Sequence, residues 1–285
     1  MTTTVTLTGT GVPHPAPGRA GAGVLVRHGA VALQFDAGRA TVLRLVEAGS
    51  SPLHLSALFV THYHSDHVVD LPDVAMTRWI QQQVERTGPL QVVTPRGCAL
   101  EYVERMLQPF HDDIEVRMEH AGADAPRVDI VAFDAPVSAT EVWRSADGDV
   151  RVSAVAVHHE PVRDAVAYRV DTPDGAVVIS GDTRACTEVF ELARGADVVV
   201  HEACRATALA ERVKGTVFET IFSYHADTVA LGTLAEQVGV PHMLLTHLIP
   251  APATEKDEER FAADLRTGGY NGRITVGRDL FTVEL

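Results

Sequence analysis

Short apolar runs separated by turn residues dominate the first part of the chain. Val5–Thr8, Val24–Arg27 and Ala30–Phe35 predict strands, set apart by Gly- and Pro-rich turns. Thr41–Ala48 predicts a short helix. Ala57–Thr61 is continuously apolar until its last residue and predicts a buried strand. It runs straight into a polar segment, which must then form a loop at the strand's end. Helices are predicted over Leu71–Arg86 and Arg96–Gln108, with a strand at Val92–Thr94 between them. The second half repeats this grammar. Strands are expected at Val150–Val157, Ala165–Val170, Ala176–Ser180, Asp197–Val200 and His242–Thr246, and helices at Cys186–Arg194 and Thr228–Val238. Glu255–Arg266 reads as a charged amphipathic helix, and short strands around Ile274–Val276 and Leu280–Val283 close the chain. Glu119–Pro126 has the least regular pattern and is expected to be a surface loop or a lid. Strands ending in polar loops in both halves predict an α+β fold in which two sheets pack face to face with helices outside, a four-layer αββα sandwich. No low-complexity linker interrupts the pattern, so 1–285 is expected to be a single domain.

Composition adds limits. A hydrophobic share of 46% supplies a sizeable core, and 22% charged residues is ordinary for a soluble protein. The formal charge is 24 − 38 = −14. A protein that binds a polyphosphate backbone usually carries the opposite sign, so nucleic acid is not the partner this balance favours. Bound divalent metals would be local positive charges that the sum omits. Cys98, Cys186 and Cys204 are far apart and form no CxxC pair, which argues against a disulfide framework and for a reducing compartment. Met1–Val5 lacks a basic region leading into an apolar one, and no apolar stretch approaches the roughly 18 residues of a membrane span. The expectation is a cytoplasmic protein with no membrane partner.

The chemistry begins at Thr61-His62-Tyr63-His64-Ser65-Asp66-His67. His62 and His64 stand two residues apart after a strand, so in extended backbone their imidazoles point the same way, a natural pair for a transition metal. Asp66 and His67 follow at once and can turn towards a second ion. Four such groups in six residues predict a metal site.

This H-x-H-x-D-H run resembles the signature of the metallo-β-lactamase fold hydrolases, and later segments resemble the family's remaining motifs in order. Val157-His158-His159-Glu160-Pro161-Val162, leading to Ala167-Tyr168-Arg169, is similar to the third-ligand motif. His158 and His159 compete for the role, and the spacing to Tyr168 favours His159. Ser180-Gly181-Asp182-Thr183 resembles the element whose aspartate bridges both metals, and Leu245-Thr246-His247-Leu248 the one carrying the last ligand. The resemblance implies His62, His64 and His159 on one ion, Asp66, His67 and His247 on the other, and Asp182 between them. The implied cofactor is two zinc ions, with manganese or iron as alternatives. His201-Glu202-Ala203 and His225-Ala226-Asp227 resemble motifs of the tRNase Z, arylsulfatase and cyclic-phosphodiesterase branch, where the second histidine faces the substrate. His225 would then be the general acid or oxyanion stabiliser, oriented by Glu202, unless it only caps the helix starting near Thr228. Phe35-Asp36-Ala37-Gly38-Arg39 resembles an element whose aspartate orients a ligand histidine, in a form that leans towards arylsulfatase-like members.

The resemblance implies hydrolysis by a metal-activated hydroxide that Asp66 holds and orients. Relatives that cut tRNA carry either a long arm, typically between the third-ligand strand and the bridging aspartate, or a different amino-terminal extension. Here Arg169 to Asp182 leaves room only for the hairpin Asp171-Thr172-Pro173-Asp174-Gly175. With the charge of −14, this favours a small-molecule ester: a sulfate ester, a phosphodiester, a carboxylic ester or a lactone. A tRNase Z-type endoribonuclease processing tRNA 3′ ends is the alternative, and a flavodiiron-like redox protein or a non-catalytic metal-binding protein the alternative of another class. The family also implies a homodimer. His111 with Asp112 and Asp113 is a candidate for the mouth of the site.

Overall fold

The computed structural model describes residues 2–285. Strands β1 (Thr4–Gly9), β2 (Gly23–His28), β3 (Val31–Phe35), β4 (Ala57–Phe59), β5 (Leu90–Pro95) and β6 (Val128–Phe133) lie side by side in that order. The chain then builds a second sheet from β7 (Thr140–Arg144), β8 (Arg151–Ala156), β9 (Val166–Thr172), β10 (Gly175–Ile179), β11 (Val198–Cys204), β12 (His242–Ile249) and β13 (Arg273–Val276), again in sequence order. It finally returns to pair β14 (Thr282–Glu284) antiparallel with β1, so each sheet has seven strands.

Among the described residues ten α-helices accompany them: α1 (Thr41–Glu47), α2 (Ser65–Val68), α3 (Leu71–Gln81), α4 (Cys98–Arg105), α5 (His111–Ala121), α6 (Thr187–Leu192), α7 (Ala206–Val213), α8 (Val217–Ser223), α9 (Thr228–Val238) and α10 (Glu255–Thr267). Three apolar layers bind the fold. Between the sheets, Val5, Leu7, Phe35 and Phe59 meet Val152, Tyr168, Val177 and Val200. Outside the first sheet, Leu45 of α1, Val74 of α3 and Val103 of α4 cover Leu25, Leu58 and Val92. Outside the second, Val189 of α6, Leu231 of α9 and Phe261 of α10 cover Val178, Val199 and Met243. This is the expected αββα sandwich. Strands β10 to β13 run parallel, and β10 and β11 are buried on both faces, which is why Val198–Val200 reads as a continuous apolar run rather than an alternating one.

Several boundaries differ from those expected, for local reasons. Helix α3 ends at Gln81 rather than Arg86, because Gln82 turns back to give its side-chain amide to Thr87 O and Gly88 O. The first three residues of Glu119–Pro126 form the last turn of α5. Strands β6 and β7, unmarked in the sequence reading, are sheet edges that bury only part of their side chains, so neither offers a continuous apolar run. Helices α5 and α7 fully bury no side chain, and their apolar stripes, Ile114 with Met118 and Ala206 with Leu209 and Val213, are only half-buried. Strand β11 extends through His201 and Glu202 to Cys204, and β12 through His247 to Ile249. No helix of the described residues is long and apolar enough to cross a membrane.

One buried cation ties α3 to the first sheet. The Arg78 guanidinium donates to Pro52 O (2.7 Å), Leu53 O (3.0 Å), Leu55 O (3.0 Å) and Gly88 O (2.9 Å). Arg78→Met keeps the apolar stem but removes the guanidinium donors from Pro52 O, Leu53 O and Leu55 O, while Gly88 O keeps the Gln82 amide. Charge-assisted bonds are worth roughly 1.5–3 kcal/mol each, so the variant is expected to lose about 3 kcal/mol or more of unfolding free energy in urea. A loss below about 1 kcal/mol would show that water replaces the guanidinium.

Candidate metal centre

The ends of strands from both sheets bring the polar loops together. Thr61 N–H and Oγ1 donate to Asp36 Oδ1 and Oδ2 at 2.8 and 2.7 Å, which fixes the loop after β4 to the end of β3. Val166 N–H donates to Thr61 O (3.0 Å), and the buried Tyr168 hydroxyl donates to Val60 O (2.7 Å), so the same loop is fixed to the second sheet. Close backbone approach completes the frame. A Cβ on Gly38 would lie 2.3 Å from Asp66 O, and one on Gly181, where φ is +58°, would lie 2.7 Å from the Thr61 Cβ. Only glycine lets these loops meet.

The histidine tautomers follow from the outer contacts, as His chemistry requires. His67 Nδ1 faces Asp36 Oδ2 at 2.7 Å, His159 Nδ1 faces Tyr224 O at 3.1 Å, and His62 Nδ1 faces Thr61 Oγ1 at 3.0 Å. Thr61 Oγ1 already gives its proton to Asp36, so it accepts from His62. All three rings therefore turn Nε2 inward. His159 Nε2 lies 3.1 Å from His64 Nδ1 and 3.8 Å from Asp182 Oδ2, and His62 Nε2 lies 3.9 Å from the same oxygen. On the other side His67 Nε2 lies 3.2 Å from Asp182 Oδ1, and His247 Nε2 lies 3.2 Å from Asp66 Oδ2 and 3.5 Å from Asp182 Oδ2. The chain thus brings His62, His64, His159 and Asp182 within one ion's reach, and Asp66, His67 and His247 within another's. His158 turns outward to Glu188, 3.1 Å away. His111 is exposed beside Glu115, 3.2 Å away, in a surface group.

His62 Nε2, His67 Nε2 and Asp182 Oδ1 are buried and have no hydrogen-bond partner among the described residues. Lone pairs and carboxylate oxygens facing one another across 3 to 4 Å fit a cation. The electrostatics agree. Burial pushes the Asp182 carboxyl up, but the imidazoles of His247 and His67 outweigh it and hold it well below the usual carboxylate range. Burial and the neighbouring His67 push His62 well down, which leaves it a neutral donor. Burial also opposes charge on His67, yet Asp182, Asp66 and Asp36 raise it well above the ordinary value. The negative charge that would hold a proton there would equally draw a metal ion.

Beside the cluster, Glu202 is fixed by Thr183 N–H (2.8 Å) and faces His225 Nδ1 at 2.9 Å. Burial opposes the imidazolium of His225, and Glu202 outweighs it, pushing the pKa up to about 9. Capping of α9 falls to Asp227, whose side chain accepts from Ala230 N–H, so His225 is free of that role. His201 is fully buried against Phe190. His247 sits inside β12 rather than past it, at a register break against β11 and with φ +43°. The bulge aims its ring at the cluster, in a backbone region non-glycine residues rarely adopt. Thr61 and the Tyr224 carbonyl escaped sequence reasoning. For Thr61 the adjacency to His62 was a usable signal, whereas a backbone carbonyl leaves none.

A family model described as "Beta-lactamase superfamily domain" matches residues 34–248. The chain belongs to the metallo-β-lactamase superfamily. Ribonuclease Z of Mycobacterium bovis (strain BCG / Pasteur 1173P2) is 34% identical over 283 residues, covering 99% of this chain and 98% of that protein. Among solved structures, the metallo-β-lactamase fold protein YhfI from Bacillus subtilis superposes with a TM-score of 0.75 at 20% identity over all of both chains. Human tRNase Z, short form, gives 0.67 at 19% identity over 98% of each. These two share the fold. As a member of the superfamily the chain is a metal-dependent hydrolase with a divalent-metal cluster, which sets aside the redox and non-catalytic alternatives.

The relatives also overturn one expectation. The net charge and the short Arg169–Asp182 hairpin favour a small-molecule ester, with nucleic acid an unlikely but not excluded partner, but a relative covering 99% of the chain is named for a ribonuclease. The arylsulfatase leaning of Asp36-Ala37-Gly38-Arg39 finds no counterpart in that name. The physical reason is that net charge governs long-range attraction, whereas the groups a substrate meets at the cluster are set locally, where bound ions would supply positive charge.

Asp36 tests the frame. Asp36→Ala removes the acceptor shared by Thr61 and His67, and loss of such outer partners weakens metal affinity roughly 10–100-fold. Competition with a chromophoric chelator is expected to show that loss in a folded protein, and an unchanged affinity would mean the ligand rings are held by packing alone.

Proposed function

We propose that this chain is a ribonuclease Z-type endoribonuclease that cuts RNA at tRNA 3′ ends, using two zinc ions held by one domain. The observation that carries the reading is the match to a ribonuclease Z along 99% of the chain. His62, His64 and His159 would hold one ion, Asp66, His67 and His247 the other, and Asp182 both. The inward-facing nitrogens and the unpartnered Asp182 Oδ1 support this division. When bound, the ions supply Lewis-acid charge for the phosphate oxygens and lower the pKa of a water.

The chain's own residues do the rest. Asp66 would hold the second ion with His247 through one carboxylate oxygen and offers the other to orient the attacking water. His225 gives Nδ1–H to Glu202, so its Nε2 faces the cluster. As the P–O bond breaks, the imidazolium donates the Nε2 proton to the leaving oxygen. Glu202 compensates that charge and fixes the ring through its bond from Thr183 N–H. The low accessibility of these groups (Glu202 1%, His225 8% exposed) keeps water from competing for the proton.

The test is cleavage of a tRNA transcript carrying a 3′ trailer by the metal-loaded protein. One endonucleolytic cut at the end of the acceptor stem is expected, abolished by a chelator and restored by zinc or manganese. His225→Ala should lower kcat about 10²–10⁴-fold without loss of metal. Protein with two ions per chain that leaves the transcript intact would refute the reading.

A further inference from the structure

A groove of about 520 Å³ opens beside the metal centre and runs along α4. Tyr63 forms its inner end, and Pro72, Cys98, Tyr102, Met106 and Phe110 form its walls. Tyr63 stands between His62 and His64. Alternation of side chains in extended backbone sends its ring away from the cluster while theirs turn in. The ring stays close to the centre nonetheless: its centroid is 5.6 Å from that of His64. The walls are rigid at two points. Tyr102 gives its hydroxyl proton to Val68 O (3.0 Å), and Tyr63 is bracketed by a buried histidine and by the start of α2. Tyr63 and Phe110 remain 37% and 39% exposed. At the rim Arg105 is neutralised by Glu101, 3.3 Å away.

We propose that this groove is the subsite for the unstacked base of a nucleotide flanking the cleaved phosphodiester, a reading that rests on the ribonuclease function above. Three observations favour that occupant. The groove is lined at one point by Tyr63, whose ring centroid is 5.6 Å from that of the ligand His64, so a group bound there would lie close to the phosphate being cut. Its walls are aromatic and apolar, and every base has a π-face to lay on them. The chain is acidic, with −14 overall, so counterion release supplies little of the affinity for RNA and contacts that do not depend on charge must supply more. Base–aromatic stacking is such a contact.

Cys98 gives a direct probe, because it lines the groove and is exposed while Cys186 and Cys204 are buried. Bound 3′-trailed transcript is expected to protect Cys98 from a maleimide, and prior alkylation is expected to raise KM for the transcript at least tenfold with little change in kcat. Phe110→Ala and Tyr63→Ala should each raise KM about tenfold, with Tyr63→Phe restoring it, and the added KM should persist at high salt. A wild-type protein that cannot cut the transcript refutes the ribonuclease reading and the occupant with it. Normal cutting with an unprotected Cys98 and unaltered KM in the variants overturns the subsite alone. A dimer that dissociates on alkylation while KM stays constant would assign the groove to a second copy, and would overturn the subsite as well.

Discussion

The structure is organised around buried negative charge. Asp36, Asp66, Asp182 and Glu202 are each less than 5% exposed, at the seam where strand ends of both sheets meet. An ionised carboxylate in such surroundings is tolerated only when its oxygens are met by donors or cations. The four are met in two different ways. Asp36 accepts from Thr61 N–H, Thr61 Oγ1 and His67, and Glu202 from Thr183 N–H and His225. Their demand is satisfied within the protein, so they act as fixed props. Asp66 and Asp182 face imidazoles alone, and one Asp182 oxygen has no hydrogen bond. Their demand is left for a metal. The division between orienting and ligating residues is thus a division in how buried charge is balanced.

That balance explains the backbone peculiarities. The loop after β4 has to meet Asp36 on one side and β9 on the other, so glycine is required where Gly38 passes Asp66 and where Gly181 passes Thr61. His247 takes its left-handed conformation inside a strand because a regular strand would send its ring to the wrong face. Strain of this kind persists only where surrounding contacts over-determine it. Thr246 and Leu248 supply them here, through hydrogen bonds to Gly9 O and Thr10 O on the loop after β1.

The layered fold was legible because long apolar runs in β4, β10 and β11 report burial on both faces. The ligand cluster was legible because four of its members fall within six residues. Edge strands β6 and β7 were not, since burial of part of each strand leaves a mixed pattern that loops share. Helix α5 was missed for a related reason: none of its residues is fully buried, and its narrow Ile114–Met118 stripe is outnumbered by charged neighbours. The bulge at His247 is set by pairing with β11, 40 residues or more away along the chain, and no local residue announces it. Tyr63 carries no signal of its own in the sequence beyond standing between two ligands. Its direction becomes informative once the groove beyond it exists, and that groove depends on where α4 packs.

Charge is where the sequence reading went astray. Two divalent ions would add four positive charges, moving −14 to −14 + 4 = −10, so the molecule stays acidic even when loaded. Long-range attraction therefore does not gather RNA onto this protein as it would onto a basic one. The positive field that matters is confined to the ions, inside roughly one Debye length (about 8 Å) at physiological ionic strength. For the RNA substrate proposed here, bound ions would act only at close approach, and the first contacts would have to be short-ranged, as stacking on the groove walls and recognition of a folded RNA end by shape would be.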